Sequence, residues 1–250
     1  MQHWRKFQAA LIFYTCLPLR PQGTLDFRGI ALYAPLIGIF IGGTIASFDL
    51  CLGLIRPAPE FINLRSLLTI LLGLLITGGL HLDGAMDTAD GLAVTDPHRR
   101  LEVMADSNTG AFGAIAGIAI LLLKVTALAA IKDQRLWILI SIWSWARWGQ
   151  LRAIMAYPYL KAIGKGKFHQ EDLHHWQVWL VAILLTVSNL AIGWFFQSIY
   201  LAIGLTVIGL SFTWLIGAWF NRQLGGQTGD TYGAIVEWTE TLSLCAIALL

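Results

Sequence analysis

Long runs of apolar residues dominate the chain and are separated by short polar segments. An α-helix needs about 20 mostly apolar residues to cross a bilayer. The windows that meet this requirement are 29–48, 66–82, 110–131, 136–156, 176–196, 198–220 and 231–250. Runs such as 67–76 and 180–185 do not alternate apolar with polar residues, as strands of a membrane barrel do. The pattern predicts an all-α fold, a polytopic integral membrane helix bundle with about seven transmembrane helices.

The segment before the first window predicts one further, shorter helix. Arg5 and Lys6 precede an apolar run from Phe7 to Leu17. No small-residue cleavage site follows this run, which disfavours a removable signal peptide. We expect residues 3–17 to form an amphipathic interfacial helix, or else a short re-entrant helix. No soluble domain is visible elsewhere, so residues 1–250 are expected to form a single membrane-embedded domain.

Composition agrees with this prediction and excludes other classes of protein. Hydrophobic residues make up 56% of the chain and charged residues only 13%, and mean hydropathy is +0.65. Such a chain is too apolar for a soluble globule and too weakly charged for disorder. The net charge is only +2, and the sequence contains no dense cluster of Lys and Arg. No nucleic-acid partner is therefore expected. The expected partner is the lipid bilayer, and the composition is compatible with a homo-oligomer.

The loop charges predict the orientation in the membrane. With a cytoplasmic N-terminus, ten Lys and Arg residues lie in cytoplasmic segments: Arg5, Lys6, Arg20, Arg28, Arg99, Arg100, Lys161, Lys165, Lys167 and Arg222. Four lie on the other side: Arg56, Arg65, Lys132 and Arg135. The excess favours this orientation. The polar segments 83–109, 157–175 and 221–230 then share the cytoplasmic face, where they can form one site.

Acidic residues are concentrated in the first of these polar segments. Asp83, Asp87 and Asp90 are spaced i, i+4 and i+7, which places them on one face of a helix. Their mutual repulsion predicts a compensating cation, and hard carboxylate oxygens suit Mg²⁺ or Mn²⁺. Asp106 can close such a site from the next helix. The alternative interpretation is a solvated acidic helix end.

A glycine-rich turn, Leu224-Gly225-Gly226-Gln227-Thr228-Gly229-Asp230-Thr231, directly precedes the last apolar window. A turn of this kind before a helix can bind phosphate with backbone N–H groups. Capping of the helix by Thr228, Asp230 or Thr231 is the simpler interpretation, and the two are compatible. Glu237 and Glu240 follow inside the window, where acidic residues are costly and usually functional.

Several cations complete the pattern. Lys124, Arg147 and Arg152 lie inside apolar windows. We expect Lys124 to snorkel or to pair with an acid, Arg147 to meet an acid or a substrate phosphate, and Arg152 to snorkel. Lys165 lies in a basic, glycine-containing loop that suits an anionic substrate. Carboxylates, a divalent metal, a glycine turn and embedded cations together favour phosphoryl transfer to or from a membrane-associated substrate.

An ion-coupled transporter is the alternative from a different class, because it also places acids and Arg within its spans. The acids of this chain, however, are concentrated at one predicted face of the membrane. No inverted halves are visible in the sequence. The distribution therefore favours an enzyme.

Two motifs resemble those of the cobalamin synthase (adenosylcobinamide-GDP ribazoletransferase) family. The first runs from Gly78-Gly79-Leu80-His81-Leu82-Asp83-Gly84 through Asp87-Thr88-Ala89-Asp90-Gly91 to Met104-Ala105-Asp106-Ser107, followed by Gly110 and Gly113. The second is the glycine-rich turn with Glu237 and Glu240. Length, hydrophobicity and motif order agree, so the resemblance covers nearly the whole chain.

The resemblance implies a reaction and a location. Enzymes of this family join adenosylcobinamide-GDP to α-ribazole or its 5′-phosphate and release GMP, with Mg²⁺, in late cobalamin biosynthesis. They are multi-pass proteins of the inner (plasma) membrane, and the predicted orientation turns the site towards the cytoplasm.

Combined with the chemistry of the residues, the resemblance implies individual roles. Asp83, Asp87 and Asp106 would hold Mg²⁺, and Asp90 would act as a fourth ligand or as the general base. The residues expected to bind substrate are Arg147, Lys165, Gly225, Gly226, Thr228, Asp230 and Glu237.

One stretch departs from the family pattern. Residues 143–148 are rich in aromatic residues, where similar proteins carry smaller residues around the Arg. This departure weakens the assignment of Arg147 to the substrate. The acid pattern is also similar to that of CDP-alcohol phosphotransferases, but their Asp-Gly-x-x-Ala-Arg signature is absent, since no Arg follows Asp83-Gly84 at that spacing. That family is the alternative enzyme.

Overall fold

The chain is described by a computed structural model over residues 2–20, 24–160 and 173–250. The helices in these ranges are α1 (Gln2–Tyr14), α2 (Ala34–Ile55), α3 (Ile62–Thr77), α4 (Leu80–Ala93), α5 (Arg100–Val103), α6 (Ala111–Ala130), α7 (Arg135–Ala156), α8 (His175–Phe195), α9 (Ile199–Leu224) and α10 (Gly229–Ala248). In the same ranges, extended pairing is limited to one isolated bridge between Tyr159 and Gln227. The all-α prediction is confirmed.

Five of these helices are long and apolar enough to cross a membrane: α2 and α3 with the short 3₁₀ turns that precede them, α6, α8 and α9. Their outward faces carry large exposed apolar side chains, such as Leu54, Ile115 and Trp194. Exposed apolar surface of this extent is stable only against lipid or another protein. The predicted polytopic helical membrane protein is therefore confirmed.

The remaining two predicted spans, α7 and α10, form the interior of the bundle. Each contains three charged residues: Arg135, Arg147 and Arg152 in α7, and Asp230, Glu237 and Glu240 in α10. Every residue from 141 to 154 in α7 and from 231 to 237 in α10 is buried. A helix covered by other helices does not need a lipid-compatible surface, so composition alone does not reveal whether it spans.

Cysteine labelling distinguishes seven crossings from five. The exposed residues Lys132, before α7, and His175, at the start of α8, can each be replaced by Cys after the native Cys16, Cys51 and Cys245 are changed to Ala. We expect a membrane-impermeant maleimide to label the two new thiols from opposite sides, because α7 crosses between them. Labelling of both from one side would mean that α7 does not cross.

Two predicted boundaries are wrong. The first window was expected to end at residue 48, but α2 continues to Ile55. The helix continues because Asp49 is buried and forms ion pairs with Arg65 and Arg135, so its charge does not end the apolar segment. The window 66–82 was expected to be one helix, but Gly78 and Gly79 both adopt left-handed conformations and separate α3 from α4.

The N-terminal helix is shorter than the predicted segment 3–17 and ends at Tyr14. Ala9, Ala10 and Tyr14 are buried against the bundle, whereas Trp4 is 62% exposed. A helix with one packed and one exposed face is consistent with the predicted amphipathic character. Its packing brings the end of α1 to the functional site described next.

Candidate functional site

Helix α4 carries the predicted acids, with Asp83, Asp87 and Asp90 at the expected helical spacing. It packs against α10 at two glycines. A Cβ atom at Gly84 would lie 2.7 Å from the backbone oxygen of Asp230, and one at Gly233 would lie 3.0 Å from the backbone of His81. Only glycine permits this approach without displacing a backbone, which fixes α4 against the start of α10.

A cavity of about 620 Å³ opens where α4 and α10 meet. Asp83 and Asp230 both line it, and Asp83 is exposed while Asp230 is partly buried. The acids therefore occupy the rim. The remaining lining residues come from several elements and are mostly apolar or aromatic: Ile12, Phe13, Tyr14, Phe27, Leu80, His81, Gly84, Gln150, Ile154, Tyr159, Gly229, Tyr232 and Gly233. A volume of this size accommodates a small organic ligand.

The glycine-rich turn contributes Gly229 and Asp230 to the cavity lining, whereas Gly225 and Gly226 lie outside that lining. Gly225 ends α9 in a left-handed conformation, and a Cβ atom at Gly226 would lie 2.6 Å from the carbonyl oxygen of Pro158. The Gln227 N–H donates to that same oxygen at 2.8 Å, and the Leu160 N–H donates to the Gln227 carbonyl at 2.9 Å. The turn is thereby attached to the segment that follows α7.

Capping at the start of α10 is confirmed. The Thr228 hydroxyl accepts from the Thr231 backbone N–H at 3.2 Å, and the Thr231 hydroxyl accepts from the Thr228 N–H at 2.7 Å. This reciprocal capping box satisfies backbone donors at the helix end. Thr228 is fully buried, while Gly229 and Asp230 next to it line the cavity.

Asp90 caps the start of α6. Its two carboxylate oxygens accept from the backbone N–H groups of Gly110, at 2.7 Å, and Gly113, at 2.8 Å. These donors lie at the start of α6, which has no side-chain cap of its own. A carboxylate at a helix N-terminus satisfies free donors and interacts favourably with the helix dipole. Asp90 thus joins α4 to α6.

Replacing Asp90 with Ala tests the capping role. Loss of an N-capping side chain typically lowers stability by about 1–2 kcal/mol. We expect the Asp90→Ala variant to unfold at lower temperature in detergent, as followed by circular dichroism, and to lose activity in proportion to the unfolded fraction. Full stability combined with complete inactivity would instead support Asp90 as a ligand or base.

The other predicted acids lie away from the cavity lining. Asp87 is partly buried one turn beyond Asp83 on α4. Asp106 is exposed in the loop before α6, where its Oδ1 accepts from the backbone and side-chain nitrogens of Asn108. Arg100 donates to the carbonyl of Gln223 at 2.8 Å and so fastens this loop to the end of α9.

A buried charge network lies behind the cavity. The Lys124 ammonium lies 2.7 Å from Glu237 and 2.5 Å from Glu240. The expected pairing of Lys124 with an acid is confirmed. Glu237 contacts this lysine and is not among the residues that line the cavity; its role in substrate binding stays a prediction. The expected snorkelling of Arg152 is wrong, because its guanidinium is buried 3.8 Å from the centre of the Trp214 ring.

Arg147 connects the network to the cavity. It is buried, and its Nη1 lies 2.9 Å from Nε2 of His81. Arginine only donates, so this imidazole nitrogen accepts and the ring proton of neutral His81 is on Nδ1. Burial, and then the charges of Arg147 and Lys124, hold the pKa of His81 well below its ordinary value. His81 is therefore neutral at physiological pH.

Sequence reasoning missed most of the cavity wall. Phe13 lies in the segment 3–17, which carried only an interfacial prediction, and Phe27 lies between that segment and the first apolar window. Gln150 lies on α7 one turn after Arg147, and Tyr232 follows Asp230 within the second motif. The position of Tyr232 beside the motif was the one available signal. The predicted phosphate ligand Lys165 lies outside the described residues.

The predicted Mg²⁺ site requires oxygen ligands that lie close together. Within residues 2–20, 24–160 and 173–250, no group of three or more His, Cys, Asp or Glu side chains is arranged to hold a metal ion. Mg²⁺ commonly binds through one or two carboxylates, with water and substrate phosphates completing its coordination. Asp83 and Asp230 at the cavity rim fit that kind of site, in which substrate supplies part of the coordination.

Comparison with known proteins gives consistent relatives over the full length. Adenosylcobinamide-GDP ribazoletransferase of Trichormus variabilis is 48% identical, covering 97% of this chain and 96% of the relative. The Synechococcus elongatus protein of the same name is 49% identical, with 96% and 95% covered. That of Synechocystis is 40% identical over the whole of both chains. No solved structure matches.

A family profile described as cobalamin-5-phosphate synthase matches residues 6–248, which include both motifs and every element that lines the cavity. The match extends from α1 to α10 and so covers the bundle as well as the site. The chain belongs to the cobalamin-5-phosphate synthase family.

Proposed function

We propose that this protein transfers the adenosylcobinamide phosphate group from adenosylcobinamide-GDP to α-ribazole or α-ribazole 5′-phosphate, and releases GMP. The product is adenosylcobalamin or its 5′-phosphate. The observation that carries the proposal is the cavity between α4 and α10, which has Asp83 and Asp230 at its rim. The similar proteins that match this chain over nearly its full length are named for this activity.

The bonds exchanged follow from the substrates. A ribose hydroxyl of the acceptor attacks the phosphorus on the cobinamide side of the diphosphate, and a 5′-phosphate on the acceptor is carried unchanged into the product. A new P–O bond forms, the P–O bond to the guanylate breaks, and GMP leaves with the bridging oxygen. When a hydroxyl attacks, its proton passes to a base. A carboxylate that is not bound to the metal would take it.

Mg²⁺ is the proposed cofactor. When bound, it would neutralise the charge of the diphosphate and polarise the reacting phosphorus. We assign Asp83 and Asp87 as ligands from α4, and Asp106 stays a predicted third ligand. Asp230, which the sequence analysis assigned to substrate binding, lines the same rim and adds a carboxylate there. The other protein groups bind, orient and screen the substrate.

The proposed location is the inner (plasma) membrane, with the site open to the cytoplasm. The excess of Lys and Arg in the predicted cytoplasmic segments supports this orientation. The proposed partners are the two substrates and the bilayer.

A direct assay tests the proposal. Purified protein in lipid nanodiscs is incubated with adenosylcobinamide-GDP and α-ribazole, or its 5′-phosphate, with Mg²⁺ or with a chelator. Chromatography should show equal amounts of GMP and the cobalamin product, in the Mg²⁺ samples only. Folded protein that forms neither product with either acceptor would refute the function, whereas turnover in chelator would refute only the Mg²⁺ requirement.

A further inference from the structure

Three buried side chains of the cavity carry polar atoms that find no hydrogen-bond partner within the described part of the chain: Nδ1 of His81, Oε1 of Gln150 and the hydroxyl of Tyr232. His81 and Tyr232 are 3% exposed and Gln150 is 6% exposed. An unsatisfied buried polar atom is energetically costly, and such atoms are rare in folded proteins. Three in the lining of one cavity indicate that this lining is built to bind polar groups of a ligand.

The hydrogen-bonding capacity of these atoms can be assigned. Because His81 Nε2 accepts from Arg147, its Nδ1–H is a donor. The Tyr232 hydroxyl both donates and accepts, and Gln150 Oε1 accepts. The wall therefore complements a ligand with at least one acceptor and one hydroxyl, and it requires no charged group on that ligand.

The remaining lining is suited to a flat apolar ring. Tyr159 and Tyr232 have ring centroids 6.2 Å apart and planes inclined by 21°, which presents an aromatic stack along the cavity. Phe13, Phe27 and Ile154 add apolar surface. Aromatic side chains bind flat heterocycles through offset stacking and burial of their faces.

Size and polarity select among the parts of the two proposed substrates. A cavity of about 620 Å³ holds a nucleoside but not a corrin ring with its amide arms. Guanine has polar atoms along most of its edge, and burying it with so few partners would leave several unsatisfied. The dimethylbenzimidazole of α-ribazole offers one ring acceptor and two methyl groups, and its ribose supplies hydroxyls.

We propose that this cavity binds the acceptor nucleoside, with the dimethylbenzimidazole of α-ribazole stacked in the aromatic wall and contacted by His81, Gln150 and Tyr232. The assignment rests on the proposed function. In this arrangement the ribose points to the rim, where Asp83 and Asp230 lie beside the diphosphate of the other substrate. Tyr232 and Gln150 are then positioning residues that set the affinity for the acceptor.

The variant Tyr232→Phe removes the hydroxyl and keeps the ring. Loss of one hydrogen bond of roughly 1–2 kcal/mol corresponds to about a 5- to 30-fold weaker interaction. We expect KM for α-ribazole to rise by that factor, with kcat and KM for adenosylcobinamide-GDP unchanged. Gln150→Met should act in the same direction. The matched control is Tyr200→Phe, because Tyr200 is 87% exposed and distant from the cavity lining.

Equilibrium dialysis separates this proposal from the proposed function, because it requires no turnover. Folded wild-type protein should bind α-ribazole, and Tyr232→Phe should bind it about 5- to 30-fold more weakly while binding GMP as before. If the variant weakened the binding of GMP or adenosylcobinamide-GDP and left the binding of α-ribazole unchanged, the assignment would be overturned. The cavity would then be assigned to guanosine. No change for any ligand in folded Tyr232→Phe and Gln150→Met would also overturn it. Failure of wild-type turnover with intact α-ribazole binding would refute the reaction alone.

Discussion

Asp83→Asn is expected to abolish turnover while leaving the protein folded in the membrane. The substitution keeps the size of the side chain but removes the negative charge that would hold Mg²⁺ or accept a proton at the cavity rim. Interactions of this type contribute several kcal/mol to the transition state, so we expect kcat to fall about 10³-fold or more. GMP release and product formation by the purified variant provide the measurement.

The fold of this variant should be intact because Asp83 is exposed, and because the close approach of α4 to α10 occurs at Gly84 and Gly233. Asp133→Asn is the matched control: it makes the same chemical change in the exposed loop before α7, and we expect normal turnover. If Asp83→Asn retained turnover within twofold of the wild type, the assignment of the acidic rim to catalysis would be wrong.

Lys124→Met is expected to produce the largest loss of stability among single substitutions of the charged network. Lys124 is 4% exposed and is the shared partner of Glu237 and Glu240. Removing one side of a buried ion pair leaves the other charge uncompensated and costs about 3–5 kcal/mol. Here two carboxylates lose their partner, so we expect the free energy of unfolding in detergent to fall by at least that amount.

Matched variants separate charge from packing at this site. The triple variant Lys124→Met, Glu237→Gln, Glu240→Gln removes the uncompensated carboxylates and should recover part of the lost stability. Lys132→Met, at an exposed loop position, should change stability by about 0.5 kcal/mol or less. Tryptophan fluorescence during unfolding measures the stability of all three variants. If Lys124→Met proved as stable as Lys132→Met, the buried network would not contribute to stability.

Periodicity and motif spacing were sufficient to predict the helices and the acid face of α4. They misplaced the end of α2. The sequence shows that Asp49 is charged, but it does not show that Asp49 pairs with Arg65 and Arg135 in the folded protein. They also merged α3 with the start of α4. The two left-handed glycines between these helices lie within an otherwise apolar run, so the hydropathy pattern gave no break there.

The candidate site was predicted in part, and the missing part has a physical cause. Residues that follow one another on a helix, such as Asp83 and Asp87, can be grouped from sequence because helical geometry fixes their spacing. The cavity wall combines Phe13, Gln150 and Tyr232 from three helices distant in sequence. Their proximity arises from tertiary packing, which leaves no local pattern.

The individual roles of the motif acids were also beyond sequence reasoning. Asp83, Asp87 and Asp90 were equivalent as a set of acids on one helical face, but their environments differ. Asp83 reaches the cavity rim, whereas Asp90 accepts hydrogen bonds from two backbone amides of α6. A motif therefore identifies which residues belong to a site, and the surrounding helices determine what each of them does.

The contribution of both α1 and α10 to one cavity has a consequence for biosynthesis. Chains emerge from the ribosome at about 5–20 residues per second, so α1 is made on the order of ten seconds or more before α10. A nascent chain arrested after α9 can insert most of its apolar helices into the bilayer, yet it lacks Asp230 and Tyr232. Under the proposed function, ligand binding would therefore begin only after α10 has been translated and has docked against α4, and it would be a late marker of maturation.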